Sequence, residues 1–204
     1  MANLPNLSVA QIEKSLPRLS NVEFVGKGGQ KVVFRGHVDG KDCALKFAFA
    51  PDELAAESSE DEPDFETMTR AKREVETLRD CTSEHMIKLG PIGLEFVEID
   101  GQKLFYFTEE FVDGRDLEKT IQDDGSLTVS DVIFLGLHVT DAIKALWDLG
   151  KIHRDIKPGN VMRRAQDGAF LLLDAGLAFD LAGDSLSGGL VVGTRRYFSP
   201  EQFE

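Results

Sequence analysis

The sequence predicts an α+β chain of two unequal lobes: a small one of antiparallel strands with one helix, and a larger, mainly helical one. Three observations carry this. "VEFVGKGGQKVVFRGHVDGKDCALKFAFA" alternates apolar residues with glycines and turn residues, the period-two pattern of short strands. Asp39-Gly40 and Asp100-Gly101 each interrupt an apolar run as a two-residue hairpin turn would. Past Gly114 the period lengthens, and "TVSDVIFLGLHVTDAIKALWDLG" sets Val129, Val132, Ile133, Val139, Ile143 and Leu146 at helical spacing.

In chain order, residues 1–19 form a helical extension, with Ser8-Val9-Ala10-Gln11 as a capping box and Pro17 as the stop. Residues 20–112 form the strand-rich lobe. It holds three strands, an acidic loop over 51–66, and a helix on which Met68, Ala71, Val75 and Leu78 recur at helical spacing. A hairpin of "IGLEFVEI" and "KLFYFTEEFV" completes it, and a hinge falls near Val112 to Gly114. Residues 113–204 begin the helical lobe. Thr128 and Asp131 start its long helix, and the polar loop "KIHRDIKPGNV" follows. The strand pair "VMRR" and "AFLLLD" and a Gly-rich tail come last.

Composition narrows the function classes. An apolar fraction of 42% fits a globular chain, and no apolar run is long enough to span a bilayer. The N-terminus lacks the basic start and apolar core of a secretory signal. Cys43 and Cys81 have no metal-ligand spacing and make no disulfide framework, which predicts buried thiols and a reducing, cytoplasmic compartment. A net charge of −13 argues against binding nucleic acid or an anionic membrane. Much of that charge is local, since "PDELAAESSEDEPDFE" carries eight acids and no base and reads as a solvated loop.

Four constellations have chemical content. "GKGGQKVVF" is a flexible hairpin when taken alone, yet its glycines would let a backbone approach phosphate oxygens closely. A strand rather than a helix follows, so it is no dinucleotide fingerprint. On "CALKFAF", alternation sets Lys46 between Ala44 and Ala48, opposite Leu45 and Phe47; it faces either solvent or a partner. Glu74 shares a helix face with Ala71 and Leu78, the stripe that packs inward. A desolvated carboxylate needs a cation, and Lys46 is the candidate. Lastly, Asp155, Asn160 and Asp174 are hard oxygen donors of the kind Mg²⁺ uses when it bridges phosphates. Taken singly, Asp155 and Asp174 could merely cap turns.

Together these segments resemble the protein-kinase signature set, in its order, from about Asn21 to Glu201. "HRDIKPGN" is the most specific piece, and its "KP" resembles the serine/threonine branch. The resemblance implies a two-lobed protein-kinase-like fold that uses ATP and Mg²⁺ on protein substrates. It implies that Gly26 and Gly28 cover the phosphates, with Val33 and Ala44 above the adenine and Met162 below it. Lys46, paired to Glu74, would contact the α- and β-phosphates. Glu110 and Val112 would bond the adenine through their backbones, and Asp116 would reach the ribose. Asp155 would orient and deprotonate the substrate hydroxyl, Lys157 would steady the γ-phosphate, and Asn160 and Asp174 would hold two Mg²⁺ ions. Arg154 implies an activation loop ordered by phosphorylation, with Ser185 and Ser187 as candidate sites. Thr194 implies a bond back to the catalytic loop.

The sequence also departs from that pattern. Lys31 replaces the third glycine and adds a positive charge near the phosphates. Asp174-Ala175-Gly176 lacks the usual aromatic, which implies looser coupling between the lobes. The gatekeeper position falls on Glu109, or on Thr108 if the register slips, and a carboxylate there would compete with Glu74 for Lys46. The sequence stops at "SPEQFE", so the later helices of the large lobe would come from a longer chain or a partner, and its apolar underside would otherwise be exposed. A fragment of a longer kinase is the expected account. Two other readings remain: a small-molecule kinase of the aminoglycoside or choline type, and a non-catalytic ATP-binding module.

Overall fold

A computed structural model of the chain describes residues 4–28, 30–51, 63–181 and 193–203. Ser185, Ser187, Gly29 and most of the acidic run fall outside them. The chain divides into two compact units, residues 1–75 with 88–111, and residues 76–87 with 112–204.

The first unit is a five-stranded antiparallel sheet in the order β1-β2-β3-β5-β4, with β1 Ser20–Gly28, β2 Lys31–Val38, β3 Lys41–Phe49, β4 Glu95–Ile99 and β5 Gln102–Glu110. Both tight hairpins turn at Asp-Gly. Asp39 and Gly40 have φ of 50° and 78°, and Asp100 and Gly101 have 48° and 78°. Positive φ at both central residues gives a turn whose twist matches that of the strands, and Asp-Gly tolerates it.

Alternation then sorts the side chains. Val32, Phe34, Val38, Leu45, Phe47, Leu104 and Tyr106 pack on one face. Helix α1, Val9–Ser15, adds Ile12 to that layer, and its N-terminus carries the full Ser8–Gln11 capping box. On the other face Ala48, Phe105 and Phe107 meet Met68, Ala71 and Val75 of helix α2, Pro63–Asp80. Strand β5 is therefore covered on both sides, which is why "LFYF" is continuously apolar.

Helix α2 begins earlier than its periodicity indicates, so residues 63–66 are not part of an acidic loop. They form its first turn. Proline is pre-organised for that position, and Asp64 and Glu66 complement the positive end of the helix dipole.

In the second unit, β6 Gly114–Asp116, β8 Val161–Arg164 and β9 Phe170–Leu172 form a small antiparallel sheet. Between β6 and the long helix lies a short helix, α3 Leu117–Asp124, that the sequence reading passed over. Helix α4, Val129–Asp148, is capped by Thr128 and packs against β9 and β7, Lys151–Ile152, which pairs with β10, Phe179–Asp180. Only Ala142 and Leu146 of α4 are buried; Val129, Val132, Ile133, Leu137 and Trp147 are exposed. This apolar stripe is thus mostly uncovered among the described residues. No described helix is long and apolar enough to cross a membrane. Cys43 and Cys81 are buried and neither is in a disulfide.

One contact in the small sheet is close enough to test. A Cβ on Gly114 would lie 2.1 Å from the carbonyl oxygen of Arg163 in the paired strand. Gly114→Ala is expected to destabilise the protein by roughly 1–3 kcal/mol, the range for overpacking, read as a lower urea midpoint.

Candidate active site

In the first unit the polar groups of the site share one sheet face. Register pairs Lys31 with Gly28, Val33 with Gly26 and Lys46, and Ala44 with Glu109. Because side chains alternate, Lys31, Val33, Ala44, Lys46, Phe107 and Glu109 all project from the side that α2 covers, while Leu45 and Phe47 enter the opposite layer. Val33 and Ala44 are half-buried there. Side chains built on Gly26 or Gly28 would meet nothing within 4 Å, so the hairpin above this face is open.

Four charges meet on that face. Lys46 Nζ donates to Glu74 Oε1 at 2.8 Å and to Glu109 Oε1 at 2.6 Å. Lys31 Nζ donates to the other Glu74 oxygen. Glu109 does not displace Glu74 from Lys46, as a competing carboxylate would; the ammonium holds both. Nor is Lys31 a loose charge, because it is tied to the carboxylate that positions Lys46. Glu74 is wholly buried, and burial alone would push its carboxyl up. Lys31 and Lys46 outweigh this and hold it well below the ordinary carboxylate range. For Glu109 burial wins: despite Lys46, and helped by the negative charge of Glu74, its carboxyl rises from 4.5 to about 7.

The hinge candidates lie at the end of β5 and just beyond it. The Glu110 N–H donates to the Lys88 carbonyl at 2.9 Å, and its carboxylate accepts from the Lys88 N–H at 2.9 Å. An adenine bond at Glu110 would therefore have to use its carbonyl. Val112, where the chain returns to the second unit, is buried.

The second unit gathers the loop residues. Pro158–Asn160 forms one turn of 3₁₀ helix between β7 and β8. Asp155 is 7% exposed and accepts four hydrogen bonds. Lys157 Nζ and Asn160 Nδ2 donate to Oδ2 at 2.7 and 2.9 Å, and the Thr194 N–H and Oγ1–H donate to Oδ1 at 2.9 and 2.7 Å. Burial would raise this carboxyl, but the bonds from Lys157 and Thr194 outweigh it, so Asp155 lies below its ordinary value and is ionised at neutral pH. Lys157 also donates to Thr194 Oγ1 at 2.8 Å.

His153, left without a role by the sequence, joins this loop to the end of β9. Its Nδ1 accepts from the Asp155 N–H at 3.3 Å and its Nε2 donates to the Leu173 carbonyl at 3.0 Å, a pattern that only the Nε2–H tautomer satisfies. The Leu173 N–H donates to the Asn160 carbonyl at 2.8 Å. Asp174 follows directly, at φ 60° and ψ 75°, its carboxylate accepting from the Gly176 N–H at 3.3 Å.

Asn160 and Asp174 thus flank one clamped peptide. The Asn160 amide nitrogen is committed to Asp155, which leaves its oxygen as the ligating atom. An amide oxygen and one carboxylate fit a hard cation that completes its shell with phosphate oxygens and water. Among the described residues no group of three or more His, Cys, Asp or Glu is arranged to hold a metal alone. Asp116 pairs with Met162 across β6 and β8 and caps α3 through the Lys119 N–H at 2.8 Å. Arg154, at φ 65°, donates to the Leu177 carbonyl and lies 4.9 Å from the centre of the Phe179 ring.

The raised Glu109 carboxyl has a thermodynamic consequence. Because its folded value exceeds 4.5, the folded state binds the proton more tightly, and stability that is full below pH 4.5 is lost as pH rises towards 7. Glu109→Gln is expected to remove this component. Denaturation midpoints of the two proteins between pH 4.5 and 8 should differ by an amount that grows with pH in favour of the variant, then levels off above 7.

The family model described as "Protein kinase domain" matches residues 19–204. Serine/threonine-protein kinase PknE of Mycobacterium bovis is 31% identical over 183 residues, covering 88% of this chain and 30% of that protein. The probable serine/threonine-protein kinase PknB of Bifidobacterium longum is 31% identical over 186 residues, covering 88% and 26%. A probable serine/threonine-protein kinase of Clostridium perfringens is 24% identical over 186 residues, covering 91% and 25%. This chain therefore spans under a third of the length of these relatives. With the match extending over both units, the chain belongs to the protein kinase domain family.

Proposed function

We propose that the protein transfers the γ-phosphoryl group of ATP to serine or threonine hydroxyls of protein substrates. The observation that carries this reading is the Asp155 carboxylate, ionised, buried and fixed by donors from Lys157, Asn160 and Thr194. A fixed carboxylate next to an ammonium is what in-line transfer to a hydroxyl needs.

In this reading the substrate hydroxyl takes the place of one of the four donors on Asp155. Its oxygen forms the new bond to the γ-phosphorus while the bond to the β,γ-bridging oxygen breaks and ADP departs. Asp155 is a weak base, so it orients the hydroxyl first and accepts its proton as the oxygen–phosphorus bond forms. Lys157, 2.7 Å from that carboxylate, offsets charge on the transferred group. Asn160 and Asp174 would hold Mg²⁺, which would neutralise phosphate charge. In the first unit Lys46 is held by Glu74 for the phosphates, Gly26 and Gly28 cover them, and Val33 and Ala44 contact the adenine; Met162, on β8 of the second unit, is its other contact. Glu110 and Val112 bond its edge, and Asp116, while capping α3, reaches the ribose. Two buried cysteines outside any disulfide suit a cytoplasmic setting for this domain.

Asp155→Asn is expected to lower kcat for phosphorylation of a generic basic protein by about 10²–10⁴, the range for loss of a positioned base, with ATP affinity retained. Radiolabel transfer and calorimetric ATP binding check the two halves. Label appearing on a small amino-alcohol or aminoglycoside and not on protein would overturn the protein-substrate reading. Tight ATP binding with no turnover in the wild type would leave only the binding-module account.

A further inference from the structure

We infer that Lys31 is itself a phosphate-binding residue, so that two lysines on one buried glutamate serve the phosphate chain of ATP. This rests on the kinase reading of the site and names a ligand group that the signature pattern does not contain.

Donor accounting points to Lys31. An ammonium has three N–H donors. Lys46 uses two of them on carboxyl groups, at 2.8 and 2.6 Å, and so is already engaged on two sides. Among the described residues Lys31 makes one hydrogen bond, to Glu74, which leaves two donors for an incoming oxygen. An approaching polyphosphate competes with one acidic side chain at Lys31 and with two at Lys46.

Position agrees with charge. Lys31 opens β2 opposite Gly28, the pair next to the turn of the glycine hairpin, and its side chain remains 15% exposed. Both ammonium groups lie over the Phe107 ring, at 5.0 Å for Lys31 and 5.5 Å for Lys46, which confines them to one side of the sheet. Glu74 Oε1 and Oε2 each take one lysine, so a single carboxylate aims both.

The test compares ATP·Mg²⁺ with adenosine, which has no phosphates. Lys31→Met should weaken ATP about tenfold or more, the scale of a lost charge-assisted hydrogen bond, and leave adenosine affinity unchanged. Lys31→Arg should restore it. Lys46→Met should keep a preference for ATP over adenosine that the double variant loses. In the unsubstituted protein, ATP and not adenosine should protect the Lys31 amine from acylation, read by peptide mass spectrometry, which does not depend on a variant folding. Equal effects of Lys31→Met on both ligands, or equal labelling under both, would show that Lys31 only neutralises Glu74 and would overturn the proposal. A wild type with no preference for ATP over adenosine would overturn the kinase reading, and this proposal with it.

Discussion

Glu74 is the constraint around which the first unit is arranged. A wholly buried carboxylate is costly, and removing one partner from such a buried set costs on the order of 3–5 kcal/mol. The helix that carries it must present Met68, Ala71 and Val75 to the sheet, and the same face then delivers Glu74 to the row of residues on β2, β3 and β5. Lysines at 31 and 46 are what make that burial tolerable. The apolar packing and the ionic network therefore specify the same docking of helix on sheet, which favours a single arrangement.

The second unit solves a related problem with neutral donors as well as a cation. Asp155 is ionised because Asn160, Thr194 and Lys157 surround it, and backbone links through His153 and Leu173 hold the loop that carries it. Where Glu74 is compensated chiefly by charge, Asp155 is compensated chiefly by hydrogen bonds. A carboxylate saturated by ammonium groups is a structural anchor. One whose hydroxyl and ammonium donors can exchange for others can take part in a reaction.

Much of this was legible in the residues, and the limits have physical causes. The Asp-Gly hairpins were readable because few other pairs tolerate positive φ twice in succession. Lys46 and Glu74 could be matched because each sits on a face that its period defines. The Lys31–Glu74 bond could not, since it depends on the β1–β2 register, which puts Lys31 level with Gly28 and two residues from Val33 on the side of Lys46. Helix α3 was passed over because it is short and offers little apolar period beyond Leu117 and Ile121. The start of α2 had a signal, Pro63 followed by acids, that the surrounding acidic run concealed. On α4 the period identifies an apolar face without saying what lies against it, and most of that face is uncovered among the described residues.

The clamped peptide of Leu173 has a further implication. Its N–H is taken by Asn160 and its carbonyl by His153, so the backbone entering Asp174 is fixed from the upstream side before the chain reaches Ala175. The residue at 175 is then relieved of steering its neighbour. A methyl group can stand where a bulky ring would otherwise be expected, and sequence drift at that site need not erode the aim of the preceding acid.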